Sequence, residues 1–208
     1  MVILRDVVVL GSDDGMTQLY ALHLPNPHLE TRAALPGHTA GVLCCAASST
    51  WSIAVTGSAD HSVIVWNLNR CRFVRQLKEP DQPIQLVAID DQRGWIAAAA
   101  GSEVWVWSIN GFLLVHQSTR SATNDPPSSM IFVARDFHVD KLGVLVTGHR
   151  DCIVMWDIVS NHARATPPRW RLEKNTVLSL RQSSKATCLY MPNTSTCLLY
   201  TSDAADER

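Results

Sequence analysis

Apolar residues in this chain come in short alternating runs, and the runs come in pairs. Val7–Leu10, Ser52–Thr56, Ser62–Trp66, Gly94–Ala99, Glu103–Trp107, Gly143–Thr147 and Cys152–Trp156 are rich in β-branched, small and aromatic residues. Turn residues separate them: GSDDG at 11–15, GSAD at 57–60, GS at 101–102 and GHRD at 148–151. No long stretch has the i, i+3, i+4, i+7 apolar spacing of an amphipathic helix. Short strands bounded by turn signals predict an all-β fold.

The hairpins also repeat. The second strand of each ends on an aromatic residue: Tyr20, Trp66, Trp107 and Trp156, at intervals of 46, 41 and 49 residues. A small or polar residue and then Leu or Ile follow each time, as YAL, WNL, WSI and WDI. Paired strands at this period predict the four-stranded blades of a β-propeller. Two polar stretches, 117–129 and 160–168, interrupt the pattern and read as surface loops. The expectation is about four blades. Trp170–Leu172 and Ala186–Met191 are expected to begin a fifth. A closed seven-bladed ring needs about 300 residues. An open part of such a ring is therefore expected, with one apolar blade face uncovered.

Composition narrows the function classes. The chain has 208 residues, 46% hydrophobic and 18% charged, with a net charge of -1. That is a globular composition, far from the disordered class. No excess of Lys and Arg points to nucleic acid or acidic lipid as the main ligand. No run of 18 apolar residues predicts a transmembrane helix. The cysteines are Cys44, Cys45, Cys71, Cys152, Cys188 and Cys197. None forms a C-x-x-C pair and no His cluster has ligand spacing, so neither a zinc site nor any other cofactor is expected. Reduced, cytosolic thiols are the expectation.

The segment 37–67, GHTAGVLCCAASSTWSIAVTGSADHSVIVWN, is the best-formed unit. His38 precedes Asp60 by 22 residues, Thr56 precedes it by four, and Trp66 follows it by six. With this spacing the segment resembles the WD-repeat family. The resemblance implies a structural hydrogen-bonded tetrad of His38, Thr56, Asp60 and Trp66. The chemistry suits the residue types. A turn carboxylate accepts from backbone N–H groups and from an imidazole, and a hydroxyl can bridge the imidazole and a donor-only indole. A His–Asp–Thr set also has the composition of a hydrolase triad, but no G-x-S-x-G elbow accompanies it. No catalytic residue is expected, and the chain is read as a non-enzyme. The other units keep parts of the pattern. Asp14 stands six before Tyr20, but Leu10 takes the hydroxyl position. The third unit has no Asp. In the fourth, Thr147 and Asp151 are four apart and Trp156 follows Asp151 by five. The partial set is thus Asp14, Thr147, Asp151 and Trp156.

The stretch Val63–Leu77, VIVWNLNRCRFVRQL, is more specific. It resembles the WD repeats that follow the BEACH domain in neurobeachin-like and beige-like proteins. WSING at 107–111 and TGH at 147–149 fit the same resemblance. It implies a non-catalytic protein–protein interaction scaffold in vesicle trafficking, lysosomal or autophagy pathways. Proteins or peptides would bind the propeller faces. The location implied is cytoplasmic and peripheral to endomembranes, with any membrane association made by other parts of a longer protein. The alternative is a WD40 adaptor of another kind, a ubiquitin-ligase substrate receptor or a signalling scaffold. Residues 1–196 are read as the partial propeller. Residues 197–208, CLLYTSDAADER, resemble a translated sequencing adapter and are expected to be non-native.

Overall fold

The computed structural model describes residues 1–4, 6–23, 25–133, 143–160, 170–179, 186–190 and 198–201. The first sheet holds β1 (Val2–Leu4), β2 (Val7–Gly11), β3 (Thr17–His23) and β4 (His28–Leu35). The second holds β5 (Val42–Ser48), β6 (Ile53–Ser58), β7 (Val63–Asn67) and β8 (Arg72–Leu77). The third holds β9 (Leu86–Ile89), β10 (Trp95–Ala100), β11 (Glu103–Ser108) and β12 (Leu113–Ser118). The fourth holds β13 (Ser129–Val133), β14 (Gly143–Gly148), β15 (Cys152–Ser160) and β16 (Trp170–Ser179). In every sheet the spatial order follows the chain order. These are four antiparallel meanders, the blade of a WD40-type propeller, and the fold class is all-β as the repeat predicts.

The region after the fourth hairpin differs from expectation. Trp170 does not begin a fifth blade. It starts β16, the outer strand of the fourth sheet, with Trp170 opposite Ser160 and Leu172 opposite Ile158. The nine-residue β15 leaves a long unpaired ladder, and the ten-residue β16 is long enough to fill it. Beyond it, β17 (Ala186–Tyr190) pairs antiparallel with β18 (Leu198–Thr201), so a strand lies within the segment 197–208.

The chain divides into two compact units. One comprises Met1–Gly101 with Trp105–Leu113, the other Ser102–Val104 with Leu114–Arg208. Period-two alternation builds the first unit's core. Ile53, Val55, Val63 and Val65 point from the second sheet toward Ile84, Ile96, Ala98, Trp105 and Trp107. Ala54, Ile64 and Trp66 point the other way, toward Val7, Val9, Leu19 and Leu35 of the first sheet. Strands β6 and β7 are thus covered on both faces, which is why their sequences are nearly continuous apolar runs. Gly57 marks a close approach: a Cβ there would lie 2.4 Å from Ile84 and 2.7 Å from the Cys44 sulfur.

One irregularity recurs. In three sheets the outer strand carries an extra residue beside the aromatic of the third strand. Leu19 pairs with Ala33 but Tyr20 with Thr31, so Arg32 is the extra residue. Val65 pairs with Arg75 but Trp66 with Phe73, leaving Val74. Met155 pairs with Thr176 but Trp156 with Lys174, leaving Asn175. Each is a β-bulge, and each re-aims its side chain relative to the pleat.

Candidate functional site: the hydrogen-bonded blade turns

The second sheet places its polar groups at one end. Thr56 lies on β6, Trp66 on β7, Asp60 in the turn between them, and His38 in the loop that leads into β5. The structure brings all four together. The Trp66 indole donates to the Thr56 hydroxyl at 2.8 Å. The Thr56 hydroxyl lies 2.8 Å from His38 Nε2. His38 Nδ1 lies 2.9 Å from Asp60 Oδ2. The indole can only donate, so the Thr56 oxygen accepts from it. The Asp60 carboxylate can only accept, which places the imidazole proton on Nδ1 and leaves Nε2 to accept from the Thr56 hydroxyl. Thr56 is fully buried, and the His38 and Asp60 side chains are 0% and 6% exposed.

Sequence spacing missed three members of this network. The Ser62 hydroxyl donates to Asp60 Oδ1 at 2.6 Å, and the Ser62 amide donates to the same oxygen at 3.0 Å. The Thr39 amide donates to Asp60 Oδ2 at 2.9 Å. Gln76 on β8 donates to the Ser62 hydroxyl at 2.9 Å, which ties the outer strand to the turn. Burial by itself pushes the Asp60 carboxyl up. The donors Ser62, Thr39 and His38 together outweigh that penalty and hold it at about 2. The only signal in the sequence for Ser62 is its place two residues after the turn aspartate, where a hydroxyl can close an Asx-type turn.

The fourth sheet solves the same problem with a different chain order. Thr147 accepts from the Trp156 indole at 2.9 Å and lies 2.9 Å from His149 Nε2. The imidazole here comes from the turn after β14 and not from the loop before β13. Its Nδ1 lies 2.9 Å from the Asp125 carbonyl and 3.0 Å from the Thr123 hydroxyl, both in the loop leading into β13. A backbone carbonyl thus stands where Asp60 stands in the second sheet. Burial penalises the charged ring and pulls His149 below its ordinary value, with the Asp125 carbonyl partly opposing. Asp151 is exposed and is not brought to Thr147 or Trp156. One residue, Gly148, separates Thr147 from His149, and the ring takes the place on the Thr147 hydroxyl that His38 has on Thr56.

The remaining two sheets have no Thr at this position. In the third, the Trp107 indole donates at 3.3 Å to Glu79, which sits in the loop before β9. In the first, the Tyr20 hydroxyl donates to Gln18 at 2.7 Å on its own strand. Asp14 is exposed and accepts from the Met16 amide at 2.9 Å, so it orders its own turn and does not reach Tyr20. Among the described residues no group of three His, Cys, Asp or Glu side chains is placed to hold a metal ion. No helix among them is long and apolar enough to cross a membrane.

No family model matches the chain. Known proteins do. The chain is 34% identical over 160 residues to BEACH domain-containing protein A2 of Arabidopsis thaliana, covering 74% of this chain and 4% of that protein. It is 40% identical over 83 residues to WD repeat- and FYVE domain-containing protein 4 of Homo sapiens, covering 40% of this chain and 3% of that protein. It is 32% identical over 97 residues to the human Lysosomal-trafficking regulator, covering 44% of this chain and 3% of that protein. The chain therefore spans only a few per cent of the length of these relatives. In three dimensions it matches a chain in a crystal structure of the mitotic checkpoint complex with a TM-score of 0.66 and 15% identity, covering 90% of this chain and 53% of that one. That likeness concerns the fold. The chain is a WD-repeat β-propeller segment whose relatives, over much of its length, are BEACH-domain proteins.

Proposed function

We propose that this segment is a non-catalytic protein-interaction scaffold, the WD-repeat part of a BEACH-type protein acting in vesicle traffic at endomembranes. The network around Thr56 is structural in this reading. The observation that carries it is the hydroxyl itself: it is fully buried, accepts from Trp66 and engages His38. A nucleophile must reach a substrate, and this oxygen has no route to one. What the network does is fix the turn of the second sheet, as its counterpart does in the fourth, so that one end of each of these two sheets presents loops of defined shape. The trafficking assignment draws on the relatives, one of which is named a lysosomal-trafficking regulator.

Proximity labelling in cells, with the chain fused to a promiscuous biotin ligase, tests this. Enrichment of endomembrane coat, tether and autophagy proteins over a scrambled-loop control is the expected result. Enrichment of ubiquitin-ligase subunits instead would replace the trafficking reading with the adaptor one. Hydrolase activity of the purified chain that Thr56→Val abolishes would overturn the non-catalytic reading.

A further inference from the structure

At the end of the strands opposite the Asp60 turn, the first and second sheets leave a polar cleft of about 310 Å³. Its walls are Asp6, Arg32, Ser49, Ser52, Leu68 and Asn69. Three features meet there. Arg32 is the extra residue of the β3/β4 bulge, so the bulge is what aims its side chain away from the regular pleat. The Arg32 side chain is exposed and makes no hydrogen bond or ion pair with the described residues. Ser52 holds a positive φ, +50°, as His61 and Cys71 do in the other two turns of the second sheet, so the β5/β6 turn that edges the cleft has a set shape. That conformation is locked by the Leu68 amide, which donates to the Ser52 carbonyl at 2.9 Å.

Resting on the scaffold reading above, we infer that this cleft is a docking site for an acidic side chain, Asp or Glu, in an extended peptide of a protein partner. The Arg32 guanidinium is a planar fork matched to a carboxylate. Ser49, Ser52 and Asn69 supply neutral polar groups around it, and the Asp6 carboxylate accepts a peptide N–H. The volume lies near the lower end of the range for ligand clefts, about 300–1,000 Å³, which suits one or two residues and not a large ligand. Within the lining Arg32 is the cation and Asp6 the carboxylate, and the exposed Arg70 and Arg72 follow Asn69 in the chain outside the cleft. That carboxylate also selects a singly charged group over a dianionic phosphate.

The test is an amide-shift titration of the full ¹⁵N-labelled chain by NMR with three blocked peptides, Gly-Ser-Glu-Gly-Ser, its Gln counterpart and its phosphoserine counterpart. The expected result is saturable shifts confined to Ser49, Ser52 and Asn69 with the Glu peptide and none with the Gln peptide. Arg32→Gln should weaken that binding roughly tenfold, as for loss of a charge-assisted pair. Its spectrum should otherwise be unchanged, because Arg32 is exposed at a bulge. Equal shifts with the Gln peptide, or shifts indifferent to Arg32→Gln, would overturn the site. Tighter binding of the phosphoserine peptide would overturn the choice of a carboxylate. No shifts at all, with trafficking proteins still captured in cells, would remove the cleft and leave the scaffold reading standing. Loss of both would remove both.

Discussion

The indole N–H of a buried tryptophan is a single obligatory donor, and three of the four sheets bring a side-chain acceptor to it. Trp66 and Trp156 find threonine hydroxyls, while Trp107 finds the carboxylate of Glu79. Thr56 and Thr147 are the exacting positions, because each hydroxyl serves an indole and an imidazole at once. Thr56→Val keeps the shape and removes the hydroxyl, leaving a buried indole and a buried imidazole each short of a partner. The expected loss is about 2–4 kcal/mol of stability, read from urea melts. Asp151→Asn is the contrasting substitution. Its side chain is exposed and outside the network, so the melt should move by no more than about 0.5 kcal/mol.

Within an element, close approach sets the limits. Gly37 precedes His38, and a Cβ there would lie 2.7 Å from the Trp66 ring and 3.1 Å from Ile64. Gly37→Ala must displace a ring that is itself hydrogen-bonded. It should cost about 1–3 kcal/mol by thermal or urea unfolding, although alanine is an ordinary residue for a loop. At Glu79 the expected ranking is a test of the acceptor. Glu79→Gln keeps a carbonyl oxygen for Trp107, while Glu79→Ala should lower stability by about 1 kcal/mol. These cases also show what the chain reveals in advance. The four-stranded repeat is legible because every third strand carries an aromatic residue at a regular interval, and His38, Thr56, Asp60 and Trp66 stand at fixed spacing within one hairpin and its leading loop. Glu79 is not legible, since it lies 28 residues before Trp107 in a loop of free length. His149 is hidden for a different reason. Its ring arrives from the turn and not the loop, so the spacing rule points to Asp151 instead. Trp170 looks like the start of a new blade because a strand's alternation does not say which edge it will join.

For the molecule as a whole, the two units have different acid sensitivities. In the second unit His149 sits below its ordinary value of 6.5 because it is buried. As pH falls the unfolded chain takes up that proton first, so the folded form loses stability from about pH 6.5 downward. In the first unit Asp60 is held at about 2 against an ordinary 3.8. Its contribution, about 2 kcal/mol, is complete above pH 4 and disappears as pH falls toward 2. Acid titration followed by near-ultraviolet circular dichroism should therefore show two steps. His149→Gln should remove the upper one and Asp60→Asn the lower one. A single step common to both variants would contradict the assignment.

The bulges at Arg32, Val74 and Asn175 have a consequence beyond their own turns. Each lies in an outermost strand, where a row of backbone donors and acceptors faces away from its sheet. A straight, evenly spaced row of that kind is a template for another chain to add to, which is the first step toward a fibre. One surplus residue throws the two halves of the row out of phase, so an incoming strand that matches one half fails to match the other. The same insertion that aims a side chain outward also keeps the sheet from recruiting neighbours. Deleting Val74 should restore an even row along β8 and raise the rate of thioflavin-positive assembly, even where the folded stability is little changed.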